Sequence, residues 1–503
     1  MIVIGGGVGG LAAAIDLARQ GCDVTLLERA SAPGGKMRRV EVGGRLLDAG
    51  PTVFTMRWVF EALFADAGHD LADYLTLRPA AVLARHAWSA TERLDLFADI
   101  ARSAEAIGDF AGAADARGFL AFCAQARRTY ETLEGPFIGS ARPTPVSLAF
   151  GVGDPRRMLA IRPFQTMWAA LSGHMRDPRL RQLFGRYATY CGSSPFLAPA
   201  TLMLVAHVEQ QGVWLVEGGM HRVASALADL ATACGATLRY SAEVAEIVVA
   251  GGRATGVRLA SGERLPADAV VVNADPAALP AGLLGLAARR AVAPLASAAR
   301  SLSAVTWAMV AEAKGFPLLR HNVFFSGDYK AEFDELARGR LPGEATVYVC
   351  AQDRDDTDAA PDGPERLLCL INAPPIGDAR DFTQAEIMEC ANRSLNLMGR
   401  CGLGLRPAAD PVTTTPAGFD RLFPGTGGAL YGPAVQGAMA TFRRPGSRTR
   451  LPGLYLAGGG THPGAGVPMA ALSGRLAASA LMADLGSTRR SRVAVMSGGM
   501  STR

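Results

Sequence analysis

The sequence predicts an α/β fold in which a Rossmann-type nucleotide-binding domain is interleaved with a second, α+β domain. Two glycine-rich segments, at residues 2–10 and 453–466, each follow a short apolar strand and precede a helical pattern. A further block of strand and helix patterns spans residues 212–273. Because long stretches without this pattern separate the blocks, the chain must leave the nucleotide domain and return to it twice.

These returns divide the chain, whose 503 residues predict two or three domains at about 150 residues each. We assign residues 1–75, 212–273 and 445–485 to the nucleotide domain. Residues 76–211 and 274–444 are assigned to a substrate and membrane-facing domain. The basic tail at 486–503 has little apolar pattern, and we expect it to be disordered.

Composition excludes several classes of protein. Charged residues make up 19% of the chain, below the usual figure of about 25%, and the net charge is only +5. We therefore expect neither a disordered chain nor a general nucleic-acid binder. The eight cysteines form no C-x-x-C pair and do not alternate with histidine, so we predict no metal site and no disulfide framework.

The amino-terminal unit has the order expected of a dinucleotide site. An apolar strand at 2–4 precedes a helix at 11–21, and a second strand at 24–28 ends on Glu28. The G-x-G-x-x-G positions are Gly5, Gly7 and Gly10. In this motif one glycine turns the chain, one lets a pyrophosphate approach, and one lets helix and strand pack closely, while the acid binds an adenosine ribose. The unit does not distinguish FAD from NAD. Because the strand begins at residue 2, we expect a few residues to be missing from the start.

Two glycine turns follow the acid, and they carry a family resemblance. These are Gly34-Gly35-Lys36 and Gly50-Pro51-Thr52. The arrangement resembles the flavoprotein superfamily of amine oxidases and phytoene-type carotenoid desaturases, whose fold is glutathione-reductase-like. The resemblance implies FAD, with Gly35 and Lys36 along its diphosphate and Gly50, Pro51 and Thr52 near the flavin. A solvated surface lysine is the alternative for Lys36.

Residues 212–273 contain a strand near 213–217, a helix at 221–234, and then a predicted β-meander that returns to a buried strand at 269–273. In the resembling family, Val244 stands where main-chain groups bind adenine. A meander without cofactor contacts is the alternative.

The last block resembles the second FAD segment of carotenoid desaturases, including the string T-H-P-G-A-G at 461–466. The resemblance places Gly459, Gly460, Gly466, Val467, Pro468 and Met469 at the cofactor. Amine oxidases carry an acid where Gly459 and Gly460 stand, and its absence favours the carotenoid branch. Residues 162–168, 186–196 and 468–474 are most similar to the hydroxyneurosporene and methoxyneurosporene (1-hydroxycarotenoid) 3,4-desaturases of purple, photosynthetic bacteria.

The implied activity is that of an FAD-dependent oxidoreductase acting on CH–CH groups, which removes hydride from a 1-hydroxycarotenoid to form a 3,4 double bond. The alternatives are a phytoene- or neurosporene-type desaturase, a redox-neutral carotenoid isomerase, and a carotenoid-binding escort with a vestigial flavin site. The electron acceptor is not identified. Candidate bases are His207, Glu209 and His462, each with a structural role as the alternative, and Thr189 or Tyr190 could bind the substrate hydroxyl.

A carotenoid substrate implies contact with a membrane surface. We predict no transmembrane segment, because Gly and Pro interrupt the uncharged stretches. Residues 153–164, with Met167 and Trp168, mix arginine with apolar side chains as interfacial segments do, although a surface turn and helix is equally compatible. We therefore expect peripheral association on the cytoplasmic side of the inner or intracytoplasmic membrane. Most of the aromatic and methionine side chains between residues 150 and 214 are expected to be ordinary helix-core residues. As a pool of candidate tunnel-lining side chains they are Phe150, Met158, Phe164, Met167, Trp168, Met175, Phe184, Tyr187, Tyr190, Phe196, Met203 and Trp214.

Overall fold

Five parallel strands form the central sheet of the nucleotide domain in the computed structural model, which describes residues 1–357 and 359–497. Their order is Thr237–Arg239, Thr25–Leu27, Ile2–Ile4, Val270–Val272 and Leu454–Leu456. Apart from Thr25, the inner strands consist of Val, Ile and Leu because both faces of the sheet are covered. The sheet thus joins strands from all three predicted segments of this domain.

Four helices accompany this sheet and its neighbouring segments, and they are Val8–Ala18, Arg57–Asp66, His221–Ala233 and Val467–Ser497. Every residue of Val8–Ala18 is buried. This helix begins three residues before the predicted start, because its first turn includes glycines of the motif. It ends at Ala18, three residues before the predicted end. It packs closely on the last helix, where a Cβ on Gly474 would lie 2.1 Å from the Gly9 carbonyl oxygen.

Smaller sheets surround the parallel one. The predicted meander is present as the antiparallel strands Val244–Ala250, Arg253–Leu259 and Arg264–Pro266. Strand Val213–Val216 pairs with Phe54–Thr55 and Leu77–Pro79 in a separate sheet. Strands Arg39–Val42 and Arg45–Asp48 form a hairpin between the two glycine turns.

The second domain is built on a mixed eight-stranded sheet. Its strands are Val82–Ala87, Arg93–Phe97, Ser303–Lys314, His321–Phe324, Val347–Ala351, Glu365–Ala373, Gly404–Pro407 and Val412–Thr414. Its helices are Ile100–Ala111, Ala113–Leu133, Pro145–Val152, Pro155–Ala160, Met167–Ser172, Pro178–Gly185, Leu204–Gln210, Tyr329–Ala337, Gln384–Arg400 and Pro416–Leu422. Several begin at a capping side chain, as where Thr383 and Glu386 form a reciprocal capping box.

The last helix extends through residues 486–497 of the predicted disordered tail, and residues 498–503 lie outside the described residues. Its first part packs against the amino-terminal helix, and a helix once formed propagates at little cost per residue. Within the described residues, each helix is either too short or too polar to traverse a bilayer.

The fold brings four loops to one place. Gly5, Glu28, Asn273 and Ala457 each follow the last residue of a parallel strand. The carboxyl ends of parallel strands meet at a single edge of the sheet, where α/β folds bind ligands. Residues distant in sequence therefore surround one site.

Candidate functional site

A cavity of about 1290 Å³ extends from this edge of the sheet into the second domain. It is lined by all the predicted cofactor-binding residues except Gly10, namely Gly5, Gly7, Glu28, Gly35, Lys36, Gly50, Pro51, Thr52, Val244, Gly459, Gly460, Gly466, Val467, Pro468 and Met469. The volume exceeds the range of about 300–1,000 Å³ usual for a single small-molecule pocket. The cavity can therefore hold a large cofactor and part of a second ligand.

The amino-terminal loop offers an anion site at one end of the cavity. Gly5 has a φ of +97°, which suits glycine, and the helix that begins at Val8 has no side-chain cap. Its first backbone N–H groups and the positive end of its dipole are thus available to a phosphate. Glu28 closes this loop, since its carboxylate accepts from Gly6 N at 2.6 Å and from Ala30 N at 2.8 Å.

Two glycines permit backbone contacts that no other residue allows. A Cβ on Gly10 would lie 2.0 Å from the Gly5 carbonyl oxygen, so Gly10 acts by packing the helix on the strand. A Cβ on Gly50 would lie 1.8 Å from the Lys36 carbonyl oxygen. Gly50 therefore joins the two glycine turns into one wall of the cavity.

Lys36 lies in the cavity wall and not on the open surface. Its Nζ donates to the Leu430 carbonyl oxygen at 2.6 Å and lies 5.3 Å from the centre of the Phe423 ring. Burial lowers the pKa of Lys36, and the nearby Asp275 carboxylate opposes that shift. A cation held in this way can face a diphosphate.

The carboxy-terminal glycine loop is fixed by a buried arginine. Arg444 donates to the carbonyl oxygens of Gly459 at 2.5 Å, Tyr431 at 3.0 Å and Pro433 at 2.9 Å. These bonds join the loop to residues 431–433 across the cavity. Sequence reasoning missed Arg444, which belongs to no glycine motif.

Asp275 supplies an acid beside Gly460. Its Oδ1 accepts from Ala277 N at 3.0 Å, but its buried Oδ2 has no hydrogen-bond partner. A Cβ on Gly460 would lie 2.9 Å from that Oδ2 atom. An acid that the sequence lacks at 459–460 thus reaches the same loop from another strand. Sequence reasoning did not identify Asp275 as a cofactor residue. Its sequence signal is the position just after the strand Val270–Val272, at the edge of the sheet where ligands bind.

These residues fit FAD, the cofactor that the resemblance implies. The helix terminus at Val8 and the Lys36 ammonium suit a diphosphate, and Glu28 suits a ribose. The unpartnered Asp275 Oδ2 needs a donor, which a sugar-alcohol hydroxyl supplies. The first turn of the helix from Val467 also points N–H groups at the cavity.

The part of the cavity formed by the second domain contains a polar cluster that sequence reasoning found only in part. Arg186, in the 3₁₀ helix Arg186–Cys191, donates to the Tyr190 hydroxyl at 3.1 Å. The Tyr348 hydroxyl is hydrogen-bonded to Thr52 Oγ1 at 2.7 Å and to His321 Nδ1 at 2.7 Å. Tyr348 therefore connects this cluster to Gly50, Pro51 and Thr52, the residues predicted to lie near the flavin, which we call the predicted flavin wall.

The three candidate bases are placed differently. Of these, only Glu209 lines the cavity, where its Oε2 accepts from the Tyr187 hydroxyl at 2.6 Å and burial raises its pKa. His207 packs on Tyr130, with ring centres 5.1 Å apart. His462 Nε2 lies 3.0 Å from the Phe137 carbonyl oxygen, and burial lowers its pKa to about 4.

Apolar side chains line the remainder of the cavity. Of the candidate tunnel residues, Met158, Phe164 and Tyr190 line it. The others do not, and the typical case is Phe184, which is buried between Phe119 and Phe122. Helical spacing buries such side chains between helices, so most of this set belongs to the core or, like Phe150, to the surface.

Comparison with known proteins gives a family for this arrangement. The model of the family described as flavin containing amine oxidoreductase matches residues 8–482. A hydroxyneurosporene desaturase from Rubrivivax gelatinosus is 59% identical to the chain, over all of it and 97% of the relative. A hydroxyneurosporene desaturase from Cereibacter sphaeroides is 48% identical, covering 97% of this chain and 99% of the relative.

Solved structures share the fold at lower identity. An oxidoreductase from Methanosarcina mazei superposes with a TM-score of 0.59 at 17% identity, covering 94% of this chain and 98% of the other. At this identity the likeness shows the fold, and it agrees with the predicted arrangement of a parallel nucleotide-binding sheet and a second, interleaved domain.

Proposed function

The chain belongs to the flavin-containing amine oxidoreductase family, in its carotenoid desaturase branch, and from this premise we propose that it desaturates a 1-hydroxycarotenoid at the 3,4 bond. FAD is its cofactor, and the protein is an oxidoreductase acting on carotenoid C–C bonds. The observation that supports the proposal is one cavity that joins the predicted FAD residues to an apolar passage.

The reaction removes two hydrogens from adjacent saturated carbons. When bound, FAD supplies a two-electron acceptor for the hydride from one carbon. The neighbouring carbon loses a proton, and the electron pair of that C–H bond becomes the new π bond. An external acceptor, such as dioxygen, a quinone or another electron carrier, then takes the two electrons.

The protein positions the polyene substrate, excludes water from it and supplies a proton acceptor. Apolar walls exclude water and hold the polyene extended. Glu209 is the candidate base in the cavity wall, and we assign the proton to its carboxylate, whose pKa burial raises. Glu209→Gln is expected to lower kcat by about 10²- to 10⁴-fold while FAD binding is retained, as measured by single-turnover flavin reduction. An unchanged rate would assign Glu209 a structural role.

The substrate assay separates the candidate functions. The FAD-loaded protein is mixed anaerobically with 1-hydroxyneurosporene or with neurosporene, and flavin absorption and product mass are recorded. We expect flavin bleaching and loss of two hydrogens with the hydroxylated substrate only. Desaturation of neurosporene would support the phytoene- or neurosporene-type alternative. An unchanged mass with an altered spectrum would indicate an isomerase, and bound flavin without any change would indicate an escort.

Asp275 provides a direct test of the cofactor site. Asp275→Asn keeps the Oδ1 atom that caps Ala277 but replaces the unpartnered acceptor with a donor. We expect the FAD dissociation constant to rise about tenfold, the cost of one lost hydrogen bond to a charged group. Titration of apoprotein with FAD measures it. Asp328→Asn is the matched control, because Asp328 caps the helix Tyr329–Ala337. Equal or tighter FAD binding by Asp275→Asn would contradict this role.

We also propose that the protein meets its substrate at a membrane surface, on the cytoplasmic side of the inner or intracytoplasmic membrane of a photosynthetic bacterium. The helices Pro145–Val152 and Pro155–Ala160 lie at the cavity, and four large apolar side chains near it are exposed. We call these residues the docking face, and they are Val146, Phe150, Leu159 and Phe164. Exposed arginines accompany them at 142, 156, 157 and 162, as in interfacial segments that bind anionic lipids.

Substitution of the docking face is expected to weaken membrane binding. Phe150 and Phe164 are 81% and 85% exposed, so their replacement by serine costs the fold little. We expect the double variant to bind anionic vesicles at least about tenfold more weakly in co-sedimentation, because two phenyl rings no longer enter the interface. Leu286→Ser, at another site that is 76% exposed, is the control. Equal binding by all three proteins would place the membrane contact elsewhere.

A further inference from the structure

The guanidinium of Arg186 lies in the wall of the cavity, beside the Tyr348 ring. Arg186 lines the cavity, and its side chain donates to Tyr190 at 3.1 Å. Its Cζ atom also lies 5.2 Å from the ring centres of both Tyr190 and Tyr348. Among the described residues, no carboxylate lies within ion-pair distance of it, although Glu209 and Glu332 lie near enough for its charge to oppose the rise that burial causes in their pKa values. Arg186 is therefore a cation held by aromatic rings and one hydroxyl.

Such a cation requires an acceptor. A guanidinium carries five N–H donors, and the half-buried Arg186 side chain faces the cavity, where these donors can reach a ligand. No protein group described here accepts from Arg186 apart from Tyr190. A hydrocarbon polyene offers no acceptor, whereas an alcohol oxygen offers two lone pairs. The site therefore favours a ligand that carries an oxygen atom next to Arg186.

The position of Arg186 agrees with the position of that oxygen. Arg186 contacts Tyr348, whose hydroxyl is bonded to Thr52 on the predicted flavin wall. In a 1-hydroxycarotenoid the oxygen is on C1 and the reacting bond joins C3 and C4. The oxygen and the reacting bond are therefore only a few bonds apart, and a site that binds the oxygen must lie next to the flavin.

We propose that Arg186, together with the Tyr190 hydroxyl, binds the terminal hydroxyl oxygen of the substrate and determines the preference for hydroxylated over hydrocarbon carotenoids. This inference rests on the proposed function and names its specificity-determining residue. Thr189 is less suited to that role, because its Oγ1 already donates to the Arg186 carbonyl oxygen at 2.7 Å.

Arg186→Met tests the inference, since methionine keeps an apolar stem of similar length but no donor. We measure dissociation constants of the FAD-loaded protein for 1-hydroxyneurosporene and for neurosporene by fluorescence quenching. The constant for the hydroxylated carotenoid is expected to rise about 10- to 100-fold, the value of a hydrogen bond to a charged group. The constant for neurosporene is expected to change little. Arg186→Lys should restore part of the preference, and the exposed Arg117→Met is the control.

The outcomes distinguish the inference from the function on which it rests. If the constants for both carotenoids rise together, Arg186 only supports the tyrosine rings, and the inference is overturned. If the selectivity of Arg186→Met equals that of the unaltered protein, the inference is overturned while the desaturase function stands. If the unaltered protein neither binds nor desaturates the hydroxylated carotenoid, the proposed function itself fails.

Tyr190→Phe provides a second test of the inference in case Arg186→Met does not fold. This variant removes only the hydroxyl that shares the oxygen site with Arg186. We expect its constant for 1-hydroxyneurosporene to rise about 3- to 10-fold, with no change for neurosporene. Equal changes for both carotenoids, or no change for either, would overturn the inference.

Discussion

Gly10→Ala is expected to abolish tight FAD binding, although Gly10 does not line the cavity. The added Cβ would lie 2.0 Å from the Gly5 carbonyl oxygen, and 3.1 Å from the Asn273 side chain. Both are fixed by the central sheet, because Asn273 Nδ2 donates to that same Gly5 oxygen at 3.2 Å. The helix must then move away from the strand, and the N–H groups of its first turn move with it.

The size of this effect follows from overpacking. Steric insertion into a packed core costs about 1–3 kcal/mol, and here the cost falls on the geometry that binds the diphosphate. We expect FAD affinity to fall at least about 10- to 100-fold in an apoprotein titration. Gly399→Ala introduces the same methyl group in a helix where a Cβ meets nothing within 4 Å, and it should bind FAD normally. Normal FAD binding by Gly10→Ala would show that the helix and strand separate without cost.

The parts of this site that are close together along the chain could be predicted from sequence, because their conformation depends mainly on neighbouring residues. A strand, a glycine turn and a helix are neighbours along the chain, so the roles of Gly5 and Gly10 follow from the motif and agree with the backbone geometry. Gly50 was placed near the flavin only by the family resemblance, and its close approach to the Lys36 carbonyl oxygen was not predicted.

The parts that sequence reasoning missed are contacts between distant segments. Tyr348 reaches Thr52 across almost 300 residues, and Arg444 reaches Gly459 from a segment without a motif. No periodicity or spacing encodes such contacts, which depend on how the two domains pack. The candidate tunnel residues show the same limit, because a helical pattern of aromatics describes a core face as well as a ligand pocket, and Phe184 takes the core role expected for most of them.

Buried neutral histidines are expected to make the protein unstable in acid. Burial lowers the pKa of His86 and of His321 to about 3, with Arg186 adding to both shifts. Each folded-state pKa lies below the unfolded value of about 6.5, so the unfolded chain binds the proton more readily. Stability contributed by each group is therefore fully present above pH 6.5 and is lost as the pH falls toward 3.

The magnitude is large enough to measure in single variants. Each histidine changes the free energy of unfolding by about 1.4 kcal/mol per pH unit within this window, or about 4–5 kcal/mol over all of it. His321→Phe keeps a ring against Tyr348 but cannot be protonated. Between pH 6.5 and 4, urea denaturation of this variant should show a pH slope about 1.4 kcal/mol per unit smaller than that of the unaltered protein.

Glu332→Gln is expected to change the pH dependence of the free energy of unfolding in the opposite direction. Burial raises the pKa of Glu332 to about 7, so its protonated form stabilises the fold below the unfolded pKa of about 4.5 and that stability is lost as the pH rises through 7. Without it, acidification from pH 7 to 4.5 should destabilise the variant more steeply than the unaltered protein. Identical pH slopes of the free energy of unfolding in all three proteins would refute the assignment.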